Sequence, residues 1–125
     1  MRLLLDTHAV IWAVSSPATL APAARAVIED PANDVFVSSA SVWEITIKEA
    51  LGKLTLPASI EEAIGGSSFD ALPITHAHAL LAGRLPPHHR DLFDRMLVAQ
   101  AIIDGLTIVT RDATIPRYTA ATIAA

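Results

Sequence analysis

Residues 1–14 read MRLLLDTHAVIWAV, and the fold turns on how this stretch is understood. Leu3, Leu4 and Leu5 form an unbroken apolar run closed by Asp6, the pattern of a short strand buried on both faces of a parallel sheet. Thr7–Val14 then reads as a short helix. A secretory leader also starts with a basic residue and an apolar run, but Asp6 and His8 interrupt the run and no small-residue cleavage site follows cleanly. A strand that ends in an acid and passes into a helix sets that acid at the carboxyl edge of the sheet.

The same grammar repeats outward. Pro22–Glu29 reads as a second helix rich in good helix formers, and Asp30-Pro31-Ala32-Asn33 is turn chemistry. Val35–Val37 is a second strand. Ser38, Ser39 and Ser41 supply a cap for a helix running to about Leu51, with Gly52 at its C-terminal stop. Ile60–Ile64 starts another helix, and Ala71–Ile74 reads as a short edge strand limited by Pro73. Thr75 caps His76–Ala82. After the loop Arg84–Arg90, Asp91 caps a long apolar helix, Leu92–Asp104, closed by Gly105. Leu106–Thr110 is another buried strand, and Tyr118–Ile123 is a weak candidate for a last one. Strands alternating with helices predict an α/β fold: one domain over residues 1–125, with a short parallel sheet, helices on both faces and right-handed crossovers.

Composition narrows the class of function. The 125 residues are 52% hydrophobic and 18% charged, as in a globular protein. There is no cysteine, which excludes disulfides and zinc–thiolate sites and fits a cytoplasmic protein. No apolar run approaches the roughly 20 residues needed to cross a bilayer. The formal net charge of −4 opposes long-range attraction to nucleic acid, so contacts to such a partner must be local. The charge is uneven: residues 1–62 carry four Lys/Arg against eight Asp/Glu, and residues 63–125 carry five against five together with four of the five histidines.

Four acids fall where the crevice of an open parallel sheet lies, beyond the carboxyl ends of its strands. Asp6 closes the first strand and Asp112 follows the Leu106–Thr110 strand. Asp94 sits in the first turn of the Leu92–Asp104 helix, where a carboxylate is favoured by the helix dipole. Glu44 lies one turn into the helix that follows Val35–Val37. Each has a simpler role open to it. Asp6 would cap a helix, Glu44 would pair at i,i+4 with Lys48, Asp94 would support a cap at Asp91, and Asp112 would be a turn residue. Their joint placement is the stronger signal. Converging like charges raise one another's pKa and cost stability unless a hard cation such as Mg²⁺ or Mn²⁺ lies between them.

Other residues are weaker candidates. His76 and His78 are two apart and share no helical face, and His88 and His89 are adjacent in a loop. Neither pair fits a zinc-protease pattern, so structural or solvated roles are expected for the histidines. Arg95 and Arg111 each neighbour one of the acids and are the preferred contacts to a phosphate backbone. Thr7, Ser39 and Thr110 would orient carboxylates or water, or simply cap helices. Trp12, Trp43, Phe36, Phe69 and Phe93 lie in apolar segments and are expected in the core.

Four stretches together, LLLDTHAVIWAV (3–14), VSSASVWEITIKEALGKL (37–54), HHRDLFDRMLVAQAI (88–102) and LTIVTRD (106–112), make the chain resemble PIN-domain proteins of the VapC toxin type over essentially its full length. The resemblance implies an acidic pocket binding Mg²⁺ or Mn²⁺ and an endoribonuclease, usually a homodimer, neutralised by a VapB-like antitoxin encoded beside it. It implies Asp6, Glu44, Asp94 and Asp112 as the four catalytic acids, with Asp6 and Asp94 most directly on the metal. Asp91 lies in the same motif, and its position before MLVAQA suits a cap rather than a ligand.

Three functions compete. The first is metal-dependent hydrolysis of RNA phosphodiesters. The second is phosphoryl transfer of the phosphatase or receiver type, which would use a late lysine to hold phosphate; the chain has none after Lys53. The third is a non-catalytic PIN-fold module that binds RNA or antitoxin.

Overall fold

A computed structural model of the chain describes residues 1–118 and 121–125. Among the described residues, five strands form one sheet: β1 (Arg2–Leu5), β2 (Asp34–Ser38), β3 (Asp70–Leu72), β4 (Thr107–Thr110) and β5 (Thr122–Ala124). Their order is β3-β2-β1-β4-β5 and every neighbouring pair is parallel. β1 is central, with Leu4 opposite Phe36 on one side and Ile108 on the other. The expected edge strand is real but begins earlier, at Asp70, and stops before Pro73, whose missing N–H cannot join a ladder. The expected tail strand is confined to Thr122–Ala124; Thr119 and Ala120 of the predicted span lie outside the described residues.

Alternation along β1 explains why both faces are covered. Leu3 and Leu5 pack with Val10, Ile28, Val35, Val37, Ile45 and Val109, while Leu4 packs with Leu97, Val98, Ile108 and Ile115 on the other face. All three leucines are fully buried, each contributing about 1.5–3 kcal/mol of apolar burial. Helices α1 (Thr7–Ser15), α2 (Pro22–Glu29) and α4 (Ile60–Gly65) supply the first face, and α5 (His76–Arg84) and α6 (Leu92–Asp104) the second. Helix α3 (Ser39–Ala50) contributes to both, through Ile45 and Ala40 respectively.

Capping fixes where the helices start. Asp6 caps α1, Ser38 caps α3, Thr75 caps α5 and Asp91 caps α6. Helices α1, α3 and α5 follow β1, β2 and β3 and so begin at the carboxyl edge of the sheet. Helix α6 precedes β4 and must run against it, so its N-terminus reaches the same edge. Gly105 makes that reversal, with φ 66° in the left-handed region that glycine enters without a Cβ penalty.

The aromatic expectation holds only in part. Trp43 is 63% exposed, its ring edge-on to Phe93 at 5.4 Å between centroids. It lies on the face of α3 turned away from both core clusters, so burial is not available to it.

Candidate active site

The cleft at the carboxyl edge has a volume of about 400 Å³ and is lined by Asp6, His8, Trp12, His89, Asp91, Asp94, Arg111 and Asp112. Three of the four expected acids are therefore gathered there, from the end of β1, the first turn of α6 and the segment after β4.

Asp6 is anchored at both oxygens. Oδ1 accepts the Ala9 N–H at 2.8 Å, and Oδ2 accepts the Thr110 hydroxyl at 2.6 Å. It is thus both the helix cap and a wall of the cleft; the two roles do not exclude each other because each oxygen has two lone pairs. The same Thr110 Oγ accepts the backbone N–H of Asp112 at 3.0 Å. One hydroxyl thereby ties the acid after β1 to the acid after β4. Asp112 is held further by its Oδ1, which accepts the N–H groups of Thr114 at 2.7 Å and Ile115 at 3.1 Å.

Asp94 stands nearest the crowding. Asp91 accepts the N–H groups of Phe93 and Asp94 at 2.9 and 3.1 Å, as a cap should, yet it also lines the cleft and adds negative charge beside Asp94. Burial first, then the charges of Asp91, Asp6 and Asp112, push the Asp94 carboxyl up to about 7, against the opposing influence of His89. Burial also pushes Asp6 up, against the hydrogen bonds from Thr110 and Ala9. Burial works on Asp112 in the same sense, but hydrogen bonds from Thr114, His89 and Ile115 outweigh it and leave that carboxyl below its usual range. The two neighbouring carboxyls are thus shifted in opposite directions, Asp94 upward and Asp112 downward.

Glu44 does not line this cleft. It is buried, 7% exposed, behind the start of α1. Its Oε1 accepts the Thr7 hydroxyl at 2.5 Å and its Oε2 pairs with Lys48 Nζ at 2.8 Å. The i,i+4 pairing expected from sequence is thus present, and Thr7 connects Glu44 to the residue next to Asp6. Thr7 and Thr110 both orient carboxylates, whereas Ser38, rather than Ser39, caps α3.

The two arginines separate. Arg95 is absent from the cleft wall: its Nη2 donates to the carbonyls of Ala82 at 2.8 Å and Leu85 at 3.0 Å, and its Nη1 to those of Pro86 at 3.2 Å and His89 at 3.4 Å. The expectation that Arg95 meets a phosphate is corrected by this geometry, which uses its guanidinium to pin the 85–90 loop. Arg111 does line the cleft. Its Nε and Nη2 donate to backbone carbonyls of Thr19 and Ala125, and its guanidinium lies 4.3 Å over the Trp12 ring. Trp12 is half-buried and stacks on His8 at 5.6 Å, so it belongs to the cleft as well as to the core.

The residue that sequence reasoning missed is His89. Its Nε2 lies 3.0 Å from Asp94 Oδ2 and 3.1 Å from Asp112 Oδ2. One ligand atom from each of His89, Asp94 and Asp112 falls within 4.8 Å of the others. His78, by contrast, is structural: 2% exposed, it joins the Thr75 cap to Asp104 at 2.8 Å. Nothing in the spacing distinguishes His89 from its neighbour His88; the loop conformation does.

The donor set fits a divalent cation. Four carboxylates, those of Asp6, Asp91, Asp94 and Asp112, border one small cleft, and burial together with the charge of the others drives half-buried Asp94 toward its neutral form, a penalty that a hard cation relieves. Among the described residues, no helix is long and apolar enough to cross a membrane.

The family model for the PIN domain matches residues 3–121. No curated protein matches the sequence. Similar solved structures include VapBC2 from Rickettsia felis bound to a DNA fragment from their promoter, with TM-score 0.71, 14% identity and 98% of each chain covered. FitAcB from Neisseria gonorrhoeae aligns with TM-score 0.65 and 22% identity over 98% of this chain and 96% of that one. FitAB bound to an IR36 DNA fragment gives 0.63 and 20% identity over 97% and 93%. At these identities the likeness is one of fold.

Proposed function

The chain belongs to the PIN-domain family, and from that premise we propose that it is a metal-dependent endoribonuclease, the toxin of a type II toxin–antitoxin pair. The observation that carries this reading is the meeting of Asp6, Asp94 and Asp112 at one cleft from three distant segments. Asp6, Asp94 and Asp112 would hold Mg²⁺ or Mn²⁺, which would supply a Lewis acid for the phosphodiester and a water of lowered pKa.

The protein's own groups prepare that site. Thr110 fixes the orientation of Asp6 and, through the Asp112 N–H, the start of the turn that presents Asp112. Glu44, clasped by Thr7 and Lys48, reinforces the entry into α1 from behind rather than touching the substrate. Arg111 over Trp12 gives the cleft a cationic, aromatic wall suited to a phosphate and a base. With a net charge of −4, RNA is held by such local contacts rather than by long-range steering.

The partners follow from the same reading. The similar structures VapBC2 and FitAB are named as paired proteins, which supports a VapB-like antitoxin for this chain. An apolar hollow lined by Ala40, Trp43, Ile74, Leu92, Phe93 and Met96, with Leu92 77% exposed, supports a homodimer. The absence of cysteine supports action in the cytoplasm.

The test is RNA cleavage with and without a chelator, for the wild type and Asp94→Asn. Cleavage by the wild type alone, abolished by the chelator and restored by Mg²⁺ or Mn²⁺, is expected. Cleavage that survives both treatments would sink the metal mechanism. A wild type that binds RNA or antitoxin without cutting would establish a non-catalytic module instead.

A further inference from the structure

We propose that His89 holds the cation's seat: its Nε2–H stands between the Oδ2 atoms of Asp94 and Asp112, and a divalent cation joins these carboxylates only by displacing it. The proposal rests on the cluster being a cation centre, as argued above, and adds a residue that competes with the cation instead of binding it.

The hydrogen bonds decide between those two roles. The Asp91 N–H donates to His89 Nδ1 at 3.1 Å, so Nδ1 presents a lone pair and the ring proton resides on Nε2. That Nε2–H donates to Asp112 Oδ2 at 3.1 Å, and Asp94 Oδ2 lies 3.0 Å from the same nitrogen. A nitrogen carrying a proton has no lone pair for a metal. Ligation through Nε2 would need the proton on Nδ1, where it would point at the Asp91 N–H. A cation bound to the same oxygens would stand at about 2.0–2.1 Å from each for Mg²⁺, in the space the N–H fills.

The surroundings let the side chain leave without disturbing the carboxylates. Asp112 keeps its place through the Thr114 and Ile115 N–H bonds to Oδ1. The His89 backbone is fixed by Tyr118 Oη, which accepts its N–H at 2.9 Å, and by Arg95 on its carbonyl. Only the imidazole has to turn. His89 thus acts as a positioning residue that keeps two like charges together until the cation arrives.

The experiment is calorimetric titration of the full chain with Mn²⁺ for the wild type, His89→Ala and Asp94→Asn, with imidazole NMR of the wild type during a Mg²⁺ titration. Removing a competing hydrogen bond to a charged group is expected to tighten Mn²⁺ binding about tenfold in His89→Ala. In the wild type the His89 Nε2 signal is expected to shift with Mg²⁺ while the nitrogen keeps its proton. Equal or weaker Mn²⁺ binding by His89→Ala overturns the proposal, as does an Nε2 that loses its proton to the metal. If His89→Ala fails to fold, the NMR result decides alone. Loss of binding in Asp94→Asn with none of these His89 effects fells this proposal and leaves the cation centre standing. No binding by the wild type fells both.

Discussion

The Thr110 hydroxyl donates to Asp6 Oδ2 at 2.6 Å across 104 residues of sequence, and both residues are buried. This bond joins the ends of the two neighbouring strands β1 and β4 just where the cleft opens. Replacing Thr110 by Val keeps the shape and leaves a buried carboxylate oxygen without its donor. Thr110→Val is expected to lower stability by about 1–3 kcal/mol and to reduce RNA cleavage, whereas Thr110→Ser retains most of both. Urea melts alongside cleavage rates check this; a Val variant equal to wild type in both would show the bond to be idle.

Asp94 gives the protein a pH dependence of defined sign. Its carboxyl is raised from the ordinary 3.8 to about 7 in the folded chain. The folded state therefore keeps a proton that the unfolded chain has already released. Stability is full below about pH 4, falls as pH rises toward 7, and levels off above. Asp6, raised by burial, adds to the same trend. With a chelator present, the urea midpoint is expected to be lower at pH 8 than at pH 5, and Asp94→Asn or saturating Mn²⁺ is expected to flatten the difference. A midpoint that rises with pH in the wild type would contradict the assigned crowding.

Arg95 is expected to behave as a structural residue. Its guanidinium serves the carbonyls of Ala82, Leu85, Pro86 and His89, a fork that lysine cannot reproduce. Arg95→Met is expected to cost about 2 kcal/mol, with Arg95→Lys recovering only part. The discriminating measurement is KM for RNA at a temperature where the variant is folded: it stays near wild type if Arg95 only holds the loop, and rises if the side chain meets substrate. Arg111→Met, on the cleft wall, is expected to raise it.

Trp43 and Leu92, 63% and 77% exposed, flank the same apolar hollow. Trp43→Glu and Leu92→Glu are expected to halve the mass seen by light scattering while leaving the melting temperature of dilute protein nearly unchanged. Unaltered mass in both variants would place any self-association elsewhere.

The framework was legible because its signals are local. The apolar run closed by Asp6, the cap at Asp91, the stop at Gly105 and the proline limit on β3 each act within a few residues. Three of the four acids reach one cleft because strand ends and helix starts share an edge, which the alternation of elements already implies. Glu44 was harder: its place one turn into α3 is readable, but whether it opens on the cleft or lies behind Thr7 depends on how α3 packs against α1. His89 and Arg95 were illegible for the same reason. Both depend on the path of the 85–90 loop, which is set by contacts from Tyr118 and from α6 rather than by any pattern within the loop.

The position of β1 in the sheet has a consequence for the chain as it is being made. Leu3–Leu5 lie between β2 and residues 107–109 of β4, so this strand waits for one far downstream in the sequence to complete its pairing. Contacts of such separation form late and slowly. A nascent polypeptide emerging from the ribosome displays Asp6 and Glu44 long before Asp94 and Asp112, and with one flank of its middle strand bare. The cleft is therefore complete only once the segments that carry Asp94 and Asp112 have joined the one that carries Asp6.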